Sequence, residues 1–125
     1  MRGTGGALAI LVCVMIGAAG QIVLKLGVSN PALAALLDSG KYPEFLLRTL
    51  LSPLVLAGLF LYAMSTVIWL AVLARSELSF AYPFISIGFV VTTLFGWLVL
   101  AESMSPGRLA GVALIIAGVL LVARS

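Results

Sequence analysis

Residues 6–28 read GALAILVCVMIGAAGQIVLKLGV, a nearly unbroken apolar stretch that is long enough to cross a lipid bilayer. A membrane-spanning helix needs about 20 residues of this kind. Three more such stretches follow, so that the four apolar spans are Gly6–Val28, Pro53–Ala74, Phe80–Ala101 and Leu109–Ala123. The pattern predicts an all-α, polytopic membrane protein with four transmembrane helices in a single domain, residues 1–125.

The composition agrees with a membrane protein and excludes several classes of function. Of the 125 residues, 63% are hydrophobic and 9% are charged, whereas a soluble helical domain needs a polar face on each helix. The chain has no histidine, one cysteine and four acidic residues, so His-based metal sites and the familiar catalytic triads cannot be built. We therefore expect no enzymatic activity, no metal and no cofactor. The net charge of +3 is spread along the chain without a basic run, which argues against nucleic acid as a partner.

The connection between the first two spans is predicted to contain two short helices. Asn30 can cap a helix that has Pro31 at its first position. A second helix is predicted over residues 43–51, where Glu44 and Arg48 are four residues apart and leucines form the opposite face. This amphipathic pattern is typical of a short interfacial helix. The alternative is an extension of the second span, but Ser52-Pro53 favours a break.

Two polar residues lie near the end of the first span, on one helix face. Gln21 and Lys25 are four residues apart, as are Gly17 and Gln21. The Lys25 ammonium can attract an anionic headgroup, or it can extend to water as an anchor. Gln21 favours the first interpretation, because an amide at this depth needs a polar partner or a wet cavity.

The third span adds further polar side chains. Tyr82 and Ser86 are predicted to share a face, and Glu102 is predicted to close the helix. The Glu102 carboxylate can pair with Lys25 or Arg108, or it can lie in water. Trp69, in the second span, fits either packing or an aromatic belt.

The fourth span is expected to begin after a Ser105 cap with Pro106 at the first helical position. Gly111 and Gly118, two turns apart, are predicted to form a dimer contact, and packing within one subunit is the alternative. A dimer is also expected because four short helices do not easily enclose a substrate pathway. The basic residues do not fix the orientation in the membrane, and a parallel or antiparallel arrangement stays open.

Several of these features together resemble a known superfamily. They are Gly20-Gln21 with Lys25, Trp69 with Leu73, the run LSFAYP at residues 78–83, Glu102 with Ser105-Pro106, and the glycine-containing run at residues 111–119. The chain resembles four-helix, single-repeat, EamA-like members of the drug/metabolite transporter superfamily. The resemblance covers all four spans and omits the connection over residues 29–52.

Two branches of the superfamily are similar to this chain. Small multidrug resistance exporters resemble it in length and in the glycines of the fourth span, but their proton-coupled binding of cations depends on a glutamate in the first helix. Gly17 occupies that position here, when the chains are aligned through Lys25. The flippase subunits for aminoarabinose linked to undecaprenyl phosphate resemble the chain in the Gly-Gln pair, the following lysine, the Ala-Tyr-Pro run and the later glutamate.

The resemblance to the flippase subunits implies a function and a set of site residues. It implies a bacterial inner-membrane, multi-pass transporter that moves an anionic lipid, a polyprenyl phosphate or a lipid-linked sugar between leaflets. The partner is a second copy or a similar small subunit. The substrate-binding residues would be Gln21, Lys25, Trp69, Tyr82, Ser86 and Glu102, with Lys25 on the phosphate. Two alternatives remain: proton-coupled export of small cationic solutes through Glu102, and a non-transporting subunit that assists a partner.

Overall fold

The structure, a computed structural model, describes residues 4–125 and is built from α-helices. The helices are α1 (Thr4–Val28), α2 (Pro31–Asp38), α3 (Tyr42–Leu51), α4 (Pro53–Arg75), α5 (Leu78–Ala81), α6 (Ile85–Leu98) and α7 (Pro106–Arg124). A 3₁₀ turn, Tyr82–Phe84, joins α5 to α6. Within the described residues, four segments are long and apolar enough to cross a membrane: Gly6–Val28, Pro53–Arg75, Leu78–Leu98 and Pro106–Arg124. The prediction of an all-α, multi-pass membrane protein is confirmed.

The two short helices between the first and second spans form as predicted. The Asn30 side chain accepts a hydrogen bond from the Ala32 N–H at 2.9 Å, and Pro31 opens α2. In α3, the Glu44 carboxylate and the Arg48 guanidinium form an ion pair at 3.2 Å. Ser52 has an extended backbone and separates α3 from α4. The leucines of α3 are exposed on the opposite face, while its location in the membrane interface stays a prediction.

Helices α1 and α4 pack tightly against each other through glycine residues, and we call this contact the α1–α4 seam (Gly20, Gly27 and Gly58). A Cβ atom on Gly20 would lie 3.1 Å from the Gly58 carbonyl oxygen, and one on Gly58 would lie 2.9 Å from the Leu24 backbone nitrogen. Small residues let helices approach closely in lipid. The sequence prediction placed small-residue packing on the fourth span alone and therefore missed this seam.

The third span ends earlier than predicted. Helix α6 stops at Leu98, and Ala101 adopts a left-handed backbone with φ of 57°. The Glu102 N–H then donates to the Gly96 carbonyl oxygen at 3.0 Å, which satisfies an acceptor of the last helical turn. The prediction that the helix runs to Ala101 and closes at Glu102 is wrong, because this turn reverses the chain before Glu102.

The helix boundary that follows was predicted correctly. The Ser105 hydroxyl accepts a hydrogen bond from the Arg108 N–H at 3.1 Å, and Pro106 is the first residue of α7.

A hydrophobic core fills one end of the helix bundle, where α1 begins and α4 ends. Its members come from α1, α4, α5, the 3₁₀ turn and α7: Ile10, Val14, Val72, Phe80, Ala81, Phe84 and Val119. Ile10 and Val72 are the most deeply buried large side chains, at 0% and 1% exposure. Close packing at this end leaves the opposite end, where α1 and α6 finish, free to hold a cavity.

Candidate functional site

A cavity of about 810 Å³ lies among α1, α4 and α6 and is open on one side. Along α1 its wall runs from Cys13 to Lys25, which corresponds to about 18 Å of helix. The hydrocarbon core of a bilayer is about 30 Å thick, so the wall along α1 is more than half as long as that core.

Three polar side chains lie at one end of this cavity, and we call this region the polar end (Gln21, Lys25 and Glu102). Gln21 and Lys25 come from one face of α1, close to the end of that helix. Glu102 follows α6, which runs in the same direction as α1 and ends at the same side of the bundle. The topology therefore brings the Glu102 carboxylate to the same end of the cavity as Gln21 and Lys25, from which it is distant in sequence.

The side chains of the polar end have no partners within the described part of the chain. Neither Gln21, Lys25 nor Glu102 forms a side-chain hydrogen bond or an ion pair with another residue of the range 4–125. The Arg108 guanidinium, considered as a partner for Glu102, instead donates to the Ser103 carbonyl oxygen at 3.0 Å. Each group is therefore available to a ligand.

The Glu102 carboxylate packs directly against Gly96. A Cβ atom built on Gly96 would collide with the Glu102 Oε1 atom. The left-handed turn at Ala101 and the hydrogen bond from Glu102 N–H to Gly96 hold the backbone of Glu102 in place. Glycine at position 96 thus makes room for the carboxylate on the cavity wall.

The other end of the cavity carries two aromatic rings, Trp69 and Tyr82, which we call the aromatic end. Their centroids are 6.3 Å apart and the rings meet edge to face at 64°. Gly17, Ser65 and Thr92 line the wall between the two ends. From the polar end to the aromatic end, the lining of the cavity therefore changes from charged groups to small and hydroxyl side chains and then to aromatic rings.

Ser86 is half-buried and is not among the residues that line the cavity. The reason is the 3₁₀ turn that begins at Tyr82. In a 3₁₀ turn, residues three apart lie above one another. Ile85 therefore follows Tyr82 on the cavity wall, and Ser86 is rotated away from the face that a regular helix would give it.

Gly88 and Gly96 line the cavity but were not singled out from the sequence. Together with Thr92 they recur every four residues along α6, so that they form one face of small side chains. This spacing is a signal that marks the cavity-facing side of the third span. Ser65 also lines the cavity and was not singled out from the sequence. Its backbone carbonyl oxygen accepts a hydrogen bond from the Cys13 thiol, at 3.0 Å.

The two glycines of α7 have free space around them in the subunit. Among the described residues, a Cβ atom on Gly111 or on Gly118 would meet no atom within 4 Å. The described part of the chain therefore shows no close packing within one subunit at these positions. The dimer contact stays a prediction.

Comparisons with known proteins agree with this architecture. The model of the EamA-like transporter family matches residues 21–124. A relative from Erwinia tasmaniensis, named "Probable 4-amino-4-deoxy-L-arabinose-phosphoundecaprenol flippase subunit ArnF", is 38% identical over 94% of this chain and 93% of its own length. A relative from Pseudomonas aeruginosa, named as the ArnE subunit of the same kind of flippase, is 34% identical over 85% of this chain and 86% of its own length.

A further ArnE relative, from Pseudomonas fluorescens, is 39% identical over 66% of this chain and 72% of its own length. No solved structure gives a significant match to the chain. The family match includes all three residues of the polar end and extends through α7. The chain belongs to the EamA-like transporter family.

Proposed function

We propose that this chain is one subunit of a flippase that moves a polyprenyl-phosphate-linked sugar between the leaflets of the bacterial inner membrane. The names of the relatives support a substrate of the 4-amino-4-deoxy-L-arabinose-phosphoundecaprenol type. The observation that carries the proposal is the unpaired Lys25 at the polar end of a cavity that is open on one side.

Lys25 is the phosphate-binding residue of this proposal. An ammonium ion within a membrane-spanning segment is unfavourable unless it reaches water or meets an anion. A lipid phosphate supplies that anion and arrives along the membrane surface, where the end of α1 lies. Gln21, one turn deeper, donates or accepts hydrogen bonds with the headgroup.

The open side of the cavity suits a substrate with a long apolar tail. Removing such a tail from lipid would gain nothing, since the bilayer already provides an apolar environment for it. The headgroup therefore enters the cavity and the tail stays in the bilayer. Trp69 and Tyr82 provide aromatic faces on the path toward the second leaflet.

A second subunit would complete the transporter. The relatives are named as subunits, and the residues of one chain enclose the cavity only in part. A second copy or a similar small subunit, packed against the glycine face of α7, would supply the partner bundle against which the first rocks during alternating access.

Export of cationic solutes of the multidrug type has a weaker physical basis. Gly17 stands where those exporters carry a glutamate, and a Cβ atom there would lie 3.3 Å from the Ser65 hydroxyl. Glu102 is the one carboxylate among the described residues that line the cavity, and it lies at the cavity end instead of mid-membrane. Proton-coupled dye transport that is lost in Glu102→Gln would favour this alternative.

The proposal is tested by lipid binding to the purified protein. Undecaprenyl phosphate is titrated against the native chain, Lys25→Ala and Lys41→Ala, with native mass spectrometry as the measurement. Lys41 precedes α3 on the same side of the bundle and does not line the cavity, so it is a matched control. We expect Lys25→Ala to weaken binding about 10- to 100-fold, the value of a hydrogen bond to a charged group. Equal binding by the native chain and Lys25→Ala would contradict the phosphate site.

A further inference from the structure

We infer that Glu102 binds the ammonium group of an amino sugar, so that the polar end recognises a headgroup carrying both charges, phosphate at Lys25 and amine at Glu102. This inference rests on the proposed function and deepens it. It assigns a binding residue to the amine, which is the group that distinguishes an amino-sugar lipid from polyprenyl phosphate alone.

The first argument comes from the charges on the cavity wall. Of the acidic residues, Asp38, Glu44 and Glu77 lie outside the cavity, and Glu102 lines it. Among the described basic residues, Lys25 alone lines it. The described wall therefore carries one positive and one negative side chain, the pattern complementary to a headgroup with one charge of each sign.

The second argument concerns what an isolated carboxylate would do to a purely anionic ligand. A cavity that bound phosphate alone would be weakened by a carboxylate on the same wall, because like charges repel more strongly where water is partly excluded. Pairing with Lys25 would remove this repulsion, but it would also neutralise the ammonium that the phosphate needs. The described structure contains no such pair, so both side chains remain free to bind.

The third argument is that Glu102 is held in place by its own surroundings. The left-handed Ala101 and the hydrogen bond from Glu102 N–H to the Gly96 carbonyl fix the backbone of Glu102, and the absent side chain of Gly96 leaves room for the carboxylate on the cavity wall. None of these contacts involves Lys25. A fixed backbone reduces the freedom that is lost when the carboxylate accepts hydrogen bonds from an ammonium group.

The chemistry of the substrate class meets these requirements. A 4-amino-4-deoxy sugar carries an amine that is protonated at neutral pH, and its link to the polyprenol is a phosphodiester that stays negative. The two charges are separated by one sugar ring. Lys25 on α1 and Glu102 in the connection after α6 line the same end of the cavity, and can therefore contact the two ends of one headgroup.

The test compares two lipids that differ at the amine, which is charged in one and is a neutral acetamide in the other. The probes are 4-amino-4-deoxy-L-arabinosyl phosphoundecaprenol and the same lipid with its amine N-acetylated, and native mass spectrometry measures the binding of each. We expect the native chain to bind the free amine about 10- to 100-fold more tightly, and Glu102→Gln to bind the two lipids equally. Asp38→Asn is the control, because it removes one negative charge on the same side of the bundle outside the cavity.

The outcomes separate this inference from the proposed function. Equal binding of the two lipids by the native chain, or a preference for the amine that survives in Glu102→Gln, overturns the amine site while the flippase proposal stands. Binding of neither lipid, nor of undecaprenyl phosphate, overturns both. A preference lost in Asp38→Asn as well would show a general surface charge effect and would also overturn the site.

Discussion

At the scale of single residues, the cavity depends on positions that have no side chain as much as on charged ones. Gly96 leaves the space that the Glu102 carboxylate occupies, and Gly17 leaves open the part of the wall opposite Ser65. Lys25 and Glu102 therefore act in an environment shaped by their glycine neighbours. A substitution at such a glycine changes the site without touching a charge.

Gly96→Ala tests this dependence directly. The added methyl group would occupy the position of Glu102 Oε1, so the carboxylate must turn away from the cavity wall. We expect binding of undecaprenyl phosphate to persist and the preference for the free amine to fall about 10-fold or more, as in Glu102→Gln. Competition between the free and N-acetylated lipids measures the preference. Gly107→Ala, whose Cβ would lie 4.0 Å from the Ser105 hydroxyl oxygen and outside the cavity, serves as the control, and an unchanged preference in Gly96→Ala would count against this position of the carboxylate.

The residues of the polar end differ in how far the sequence could predict them. The four-residue spacing of Gln21 and Lys25 places both on one helix face, and the structure has them on one cavity wall. Glu102 was expected at a helix end, but its position depends on the left-handed backbone of Ala101. Nothing in the sequence signals this conformation, because alanine adopts it rarely. Ser86 was predicted to share the face of Tyr82, but the 3₁₀ turn at Pro83 changes the helical phase and Ser86 does not line the cavity.

At the scale of helices, the α1–α4 seam is the principal contact of the bundle. It depends on close approach at Gly20 and Gly58, where an added Cβ atom would lie 3.1 Å and 2.9 Å from a backbone atom of the other helix. The sequence could not reveal this pairing. A glycine on a spanning helix indicates that something approaches closely, but it does not tell which helix approaches. The caps at Asn30 and Ser105, by contrast, are local and were predicted correctly.

Gly58→Ala is the test of this seam. A Cβ atom there would lie 2.9 Å from the backbone nitrogen of Leu24, which cannot move without shifting α1. We expect a loss of about 1–3 kcal/mol of stability, the usual range for overpacking. Thermal unfolding in one detergent is compared with that of Gly107→Ala, which adds the same methyl group where the nearest atom among the described residues, the Ser105 hydroxyl oxygen, lies at 4.0 Å. Equal melting temperatures for the two variants would refute the seam as the stabilising contact.

At the scale of the whole molecule, the bundle is asymmetric along the membrane normal. The hydrophobic core closes one end around Ile10 and Val72, and the polar end of the cavity lies at the other. A transporter built on this chain must open the closed end to complete its cycle. In the proposed mechanism, the partner subunit is the second rigid body against which this bundle moves.

The face of α7 that carries Gly111 and Gly118 is where we expect that partner to pack, and Gly118→Leu tests it. The leucine fits without collision in the isolated subunit, because no atom lies within 4 Å of a Cβ built on Gly118. The same side chain would hold a partner helix away, since close approach of membrane helices depends on small residues. We expect the dimer dissociation constant to rise at least about 10-fold, measured by native mass spectrometry across a protein dilution series.

Ala113→Leu provides the matched control for this experiment. Ala113 is exposed and lies about 200° around the helix from Gly111. A leucine at position 113 therefore places the same side chain on the opposite face of α7. A weakened dimer in Gly118→Leu and an unchanged one in Ala113→Leu would locate the contact on the glycine face. The reverse pattern would move the contact to the other face of α7, and an unchanged dimer in both would move it off this helix. If one cavity binds the lipid and two bundles are needed to move it, Gly118→Leu should lose lipid transport together with the dimer. The separate subunit should still bind lipid.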